Sequence, residues 1–73
     1  MRTYLVVWFS SEGKPVSEVT SRVMSMGFKP MSGNYDYVYE WGSTAGLDDV
    51  LAIGEQLQET LRGCDVSFKL ETI

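Results

Sequence analysis

Hydrophobic residues along this chain change their spacing several times, and each change marks an element. Residues 2–9 (RTYLVVWF) are apolar, β-branched or aromatic on both parities, which predicts a strand covered on both faces and hence central in its sheet. Ser10 to Pro15 (SSEGKP) is a turn cluster, with Pro15 suited to the first position of a helix. Val16, Val19, Val23 and Met26 then recur on one helical stripe, while Ser17, Glu18, Ser21, Arg22 and Ser25 fill the other side. Glu18 and Arg22 stand at the supportive i,i+4 spacing, and Gly27 occupies the place of a left-handed helix stop. Phe28 to Ser32 (FKPMS) is a short extended segment that Pro30, lacking an amide hydrogen, assigns to a sheet edge. Gly33-Asn34 is expected to make a tight turn with positive φ at both positions.

The next strand, Tyr35 to Trp41 (YDYVYEW), alternates strictly. Tyr35, Tyr37, Tyr39 and Trp41 share one face, and Asp36, Val38 and Glu40 share the other. Gly42 to Gly46 (GSTAG) is a loop in which Ser43 or Thr44 is the expected helix cap. Leu47, Val50, Leu51, Gly54, Leu57 and Leu61 form the apolar stripe of a second helix, with Asp48 and Asp49 in its first turn and Arg62 in its last, complementing the helix dipole. Gly54 in mid-helix costs about 1 kcal/mol relative to alanine, so a close packing contact is expected there. Gly63 ends the helix. Val66, Phe68 and Leu70 then alternate with Ser67, Lys69 and Glu71, a strand with one wet face.

Strand, helix, strand, strand, helix, strand, joined by right-handed crossovers, is the split βαβ or ferredoxin-like arrangement. The expected fold is therefore α+β, a single domain over residues 1–73, with a four-stranded antiparallel sheet in the order 4-1-3-2 and two helices on one face. The doubly apolar first strand, the proline strand and the half-wet last strand each fit the places this order gives them.

Composition narrows the function classes. The chain has 73 residues, 44% of them hydrophobic and 22% charged, which is ordinary globular composition. A domain of this size buries only about 60% of the surface its unfolded chain exposes, so association would add to its stability. The net charge of −4 repels phosphate backbones and disfavours nucleic acid as a partner. The longest apolar run, Tyr4 to Phe9, is far too short to span a bilayer, so no membrane partner is expected. Only Arg2 precedes that run and no small-residue cleavage pattern follows, so no secretory signal is expected. A lone cysteine, Cys64, makes no internal disulfide, which fits a reducing cytoplasm. There is no histidine, which removes histidine-based catalysis and histidine metal sites. Asp36 and Glu40 lie about 13 Å apart along a strand, too far for a catalytic dyad. Cys64 has no histidine or lysine beside it to activate it and reads as an inert, partly buried thiol. No enzyme activity, cofactor or metal is expected.

Three binding readings follow. Burying Asp36 and Glu40 unpaired would cost several kcal/mol each, so the tyrosine ladder should point into the core, with its hydroxyls reaching the rim, and the acids should point outward. The uncovered sheet face then carries Tyr4, Val6 and Trp8 from the first strand, in preference to Leu5, Val7 and Phe9. Met31, Val38 and Lys69 join them, flanked by acids. Such a patch, or the exposed edge of the last strand, suits a contact with a second copy, as a homodimer, or with a protein that has a basic rim. The alternative is a small-ligand or anion sensor built on the loop Ser10, Ser11, Gly13 and Lys14, ahead of a helix N-terminus. A third reading is single-stranded RNA bound on sheet aromatics, with Tyr4 or Trp8 acting beside Tyr37 and Tyr39.

The order of elements is similar to that of acylphosphatases, whose first-loop arginine is missing here, and of heavy-metal-binding domains, whose two-cysteine motif is missing. The stretch Pro15 to Phe28 (PVSEVTSRVMSMGF) resembles the first helix of ACT-type regulatory domains, in which a proline opens a helix that closes on a small residue. The resemblance implies side-by-side pairing and ligand binding near the first loop. Val16 stands where that family usually has glycine.

Overall fold

The computed structural model describes residues 1–73. Strand β1 (Arg2–Phe9) is followed by helix α1 (Val16–Ser25), strands β2 (Lys29–Pro30) and β3 (Tyr37–Glu40), helix α2 (Leu47–Thr60) and strand β4 (Val66–Thr72). The fold is α+β, and its four strands lie antiparallel in the order β2-β3-β1-β4. Read from the β4 edge, that succession is 4-1-3-2. β1 is central because its side chains are apolar on both faces and only a strand with neighbours on both sides hides them.

Both helices lie on one face. Leu5 and Val7 of β1 and Tyr37 of β3 share a single buried cluster with Val19 and Val23 of α1 and Ile53 and Leu57 of α2. Phe28, Leu61 and Cys64 complete it. Cys64 is wholly buried, further in than its sequence neighbours suggested. Half-buried Val66, Phe68 and Leu70 close the cluster from β4, and their alternation with exposed Ser67, Lys69 and Glu71 is the expected one. Thr3 is the one buried polar residue. Its hydroxyl meets the Thr72 hydroxyl at 2.8 Å and receives the Trp41 indole N–H at 2.7 Å, so β1, β4 and the residue that follows β3 are tied by a polar row at one end of the core.

Several expectations are corrected by packing. Phe9 does not join Leu5 and Val7 in the core. It is 39% exposed because β3 pairs with β1 only as far as Leu5 and leaves the last residues of β1 a single neighbour, β4. Leu47 and Leu51 lie outside the core as well, at 73% and 59% exposure. The buried stripe of α2 runs through Ile53, Leu57 and Leu61 instead, rotated toward α1. The two helices are joined there by Arg22, which donates to the Thr60 carbonyl at 3.1 Å while pairing with Glu18 at 2.6 Å. Arg22, a cation from the neighbouring helix, thus meets the C-terminal end of α2. Arg62, assigned that part by sequence, pairs with exposed Glu59.

The caps also differ. Pro15 precedes the first helical residue in extended geometry, and the N-cap of α2 is Gly46, not Ser43 or Thr44. The Asp49 carboxylate accepts the Gly46 amide at 2.8 Å, which is the acidic half of a capping box and leaves the loop hydroxyls with no capping role. Positive φ in the β2–β3 connection occurs at Gly33 but not at Asn34. The connection spans residues 31–36 and is closed by the Met31 amide on the Asp36 carbonyl at 2.9 Å, so it is longer than a two-residue turn.

Two glycines make opposite predictions. A Cβ on Gly54 would sit 3.6 Å from the Leu70 side chain, an ordinary contact, so the close approach expected there is absent. Gly54→Ala is expected to stabilise the protein by about 0.5–1 kcal/mol through helix propensity. A Cβ on Gly13 would lie 2.4 Å from the Cys64 carbonyl oxygen. Gly13→Ala must displace backbone and is expected to cost about 1–3 kcal/mol, the range for overpacking. Urea unfolding midpoints should move in opposite directions for the two variants, with m-values unchanged.

Candidate functional site

The sheet face away from the helices is built by the even-numbered residues of β1. Ladder pairing sets their neighbours: Tyr4 lies between Val38 and Glu71, Val6 beside Lys69, and Trp8 beside Ser67. Tyr4, Val6 and Val38 are half-buried, Met31 and Lys69 are exposed, and Trp8 is 55% exposed. The indole is bare for the same reason Phe9 is: β3 has already left the sheet. At the opposite end Arg2 and Glu40 form an exposed pair at 3.1 Å, of the kind that contributes about 0–1 kcal/mol.

One feature of this face was not legible as a pattern. Tyr35 was expected in the core beside Tyr37, but it lies on the open face. Its ring stacks on Tyr4 with centroids 4.5 Å apart and planes inclined by 23°, and its hydroxyl donates to the Glu71 carboxylate. The cause is in the backbone. Leu5 pairs with Tyr37, yet the Leu5 carbonyl also receives the Asp36 amide at 2.9 Å. Two consecutive residues opposing one is a β-bulge, and the extra residue reverses the facing of everything before it. Asp36 then turns its carboxylate back to the sheet and accepts the Val7 amide at 2.9 Å. A side chain thereby satisfies the amide that a longer β3 would have paired.

Tyr37 and Tyr39 point inward. Tyr37 is buried, and its hydroxyl bonds Thr20 Oγ1 at 2.6 Å instead of reaching water at the rim. Tyr39 packs edge-on against Phe28, with centroids 5.4 Å apart. Neither is available for base stacking on the open face, where the aromatics are Tyr4, Tyr35 and Trp8.

The loop Ser10, Ser11, Gly13 and Lys14 is gathered ahead of α1, but its groups bond to protein. Ser10 Oγ accepts the Glu12 amide at 3.2 Å, the Gly13 amide donates to the Ser10 carbonyl at 3.1 Å, and the Lys14 amide donates to the Cys64 carbonyl at 3.0 Å. The loop is thus folded onto the α2–β4 connection, where Asp65 adopts a left-handed φ of 57°. Its amides at 12, 13 and 14 are spent on protein acceptors, which leaves a weak cradle for an anion.

Two variants test the bulge. Asp36→Ala leaves the partly buried Val7 amide unpaired and is expected to destabilise by about 1–3 kcal/mol in urea unfolding, whereas Asp36→Asn, which keeps an acceptor oxygen, should lose less. Hydrogen bonding to Glu71 raises the Tyr35 pKa above its ordinary value of 10.0, with partial burial second. A raised folded-state value means the stabilisation is complete below about pH 10 and is lost as pH climbs through the raised value. Absorbance titration of tyrosinate should show a late-ionising ring that disappears in Tyr35→Phe. The variant should also flatten the alkaline decline in stability.

Comparison with protein-family models, curated proteins and solved structures finds no match for this chain.

Proposed function

We propose that this chain is a non-enzymatic protein-interaction module of ferredoxin-like type, its contact surface the open sheet face. The observation that carries the reading is Trp8, a large aromatic left 55% exposed at the end of the central strand. Val6, the stacked Tyr4–Tyr35 pair and Val38 continue from it along the uncovered face. Tryptophan and tyrosine are the residues from which interface hot spots are most often built, because they bury large area at low entropic cost.

The fitting occupant is a protein with an apolar spot inside a basic rim. The chain as a whole carries −4; on the face itself Glu71 stands beside Tyr4 and Lys69 beside Val6, and Glu40 is paired with Arg2 at the far end. The same charge opposes a polyphosphate strand. A cytoplasmic setting fits the lone, wholly buried Cys64 thiol. No helix is long and apolar enough to cross a membrane.

A photo-crosslinking side chain placed at position 8, compared with one at Gln56 on the outer side of α2, tests the reading in the native source. The expected result is a protein adduct from position 8 alone. The purified partner should then bind the wild-type chain on the order of tenfold more tightly than Trp8→Ser, the loss of one interface aromatic. Equal adducts from both positions, or binding indifferent to Trp8→Ser, would overturn it. A nuclease-sensitive adduct would transfer the face to RNA.

A further inference from the structure

We infer that the free edge of β4 pairs with the same edge of a second copy, about a twofold axis through Leu70, to give one continuous eight-stranded sheet. The surface is separate from the Trp8 end of the open face, and the inference does not depend on that face having a partner.

The edge is open in the sense that matters chemically. β4 has one neighbour, β1. Arg2 and Ile73 exchange both backbone hydrogen bonds at 2.9 Å, which fixes the phase of the ladder: odd-numbered residues of β4 bond to β1, so the amides and carbonyls of Val66, Phe68, Leu70 and Thr72 aim outward. A seven-residue edge of this kind is a template for another strand.

Charge selects both partner and register. Lys69 and Glu71 stand two apart on the same face. An antiparallel pairing centred on Leu70 sets Lys69 of each copy opposite Glu71 of the other, at non-hydrogen-bonded positions where side chains approach most closely. Centring on Lys69 would oppose lysine to lysine. Centring on Phe68 would oppose Glu71 to Asp65. Centring on Ser67 would match Lys69 to Asp65 but would pair only residues 66–68 of β4, so within the strand the Leu70 axis alone matches the signs twice. Glu71 uses one carboxylate oxygen for Tyr35, and its other oxygen is free for the ammonium group.

The second support comes from α2. Gly54 faces Leu70 of β4, while Ile53 and Leu57 are buried in the cluster that holds Val19 and Val23 of α1, so the sides of the helix are assigned. At 3.6 residues per turn, Leu47 and Leu51 fall on the Gly54 side. They therefore overhang the β4 edge, and they are the most exposed leucines in the molecule, at 73% and 59%. A twofold axis perpendicular to the sheet keeps both copies' helices on the same face and brings these leucines toward their counterparts. The apolar stripe of α2 is wider than one copy can bury, and the second copy takes the remainder.

Sedimentation velocity on the full chain, up to millimolar concentration, tests this. Wild type is expected to dimerise, and Lys69→Glu and Glu71→Lys alone should each weaken the dimer by on the order of tenfold, since like charges then face each other twice. Mixed in equal amounts, the two variants should recover a heterodimer, because two carboxylates of one now face two ammonium groups of the other. Leu51→Ser, at an exposed position, should weaken association without changing the circular dichroism of the monomer. A wild type that stays monomeric throughout would overturn the inference, as would charge variants that dimerise like wild type with no preference for each other. Dimerisation abolished by Trp8→Ser but indifferent to positions 69 and 71 would also overturn edge pairing and assign the second copy to the open face.

Discussion

The arrangement of aromatic residues depends on one contact, the Asp36 carboxylate accepting the Val7 amide. It lets β3 stop early without leaving a donor unpaired in the middle of the central strand. Because β3 stops there, Tyr35 is released to the outer face, Tyr37 is held in the core, and the last residues of β1 lose a neighbour. Trp8 and Phe9 are exposed as a result. A buried or half-buried amide without a partner costs more than a typical hydrogen bond contributes, so a short β3 is tolerable only with an acceptor supplied from the side.

Much of the fold could be read from spacing alone. The double parity of residues 2–9 identified the central strand, the alternation of residues 66–71 set the faces of β4, and Pro30 marked the edge. What could not be read was a backbone event. A bulge adds a residue without changing composition, so strict alternation across Tyr35 to Trp41 looked like one uninterrupted strand, and Tyr35 was assigned to the wrong side. The α2 stripe failed for another reason. Its six apolar or small positions cover more than the arc that meets the sheet, and spacing cannot say which part of a wide stripe is buried in the single chain. Tertiary contact decided it, by burying Ile53 and Leu57 in one cluster with Val19 and Val23 of the neighbouring helix.

The candidate face was legible in part. The choice of Tyr4, Val6 and Trp8 over Leu5 and Val7 followed from the tolerance of phenol and indole for partial wetting, and the structure puts the same parity outward. That Tyr4 would be roofed by Tyr35, leaving Trp8 as the bare aromatic, follows from the bulge and was hidden with it. The first loop shows the converse: its serines, glycine and lysine are near one another, yet proximity gave no free donors, because the Cys64 and Ser10 carbonyls had taken them.

Arg2 and Ile73 exchange hydrogen bonds in both directions, so the chain enters and leaves side by side, one strand spacing of about 5 Å apart. A host protein could carry the whole unit as an insertion in a surface loop with almost no separation of the loop's own ends. The two ends could equally be bridged by a few residues and the backbone reopened between residues 42 and 46, where the loop is largely exposed. Either rearrangement would keep the central strand, its bulge and the buried threonine row intact, since none of them depends on where the polypeptide is cut.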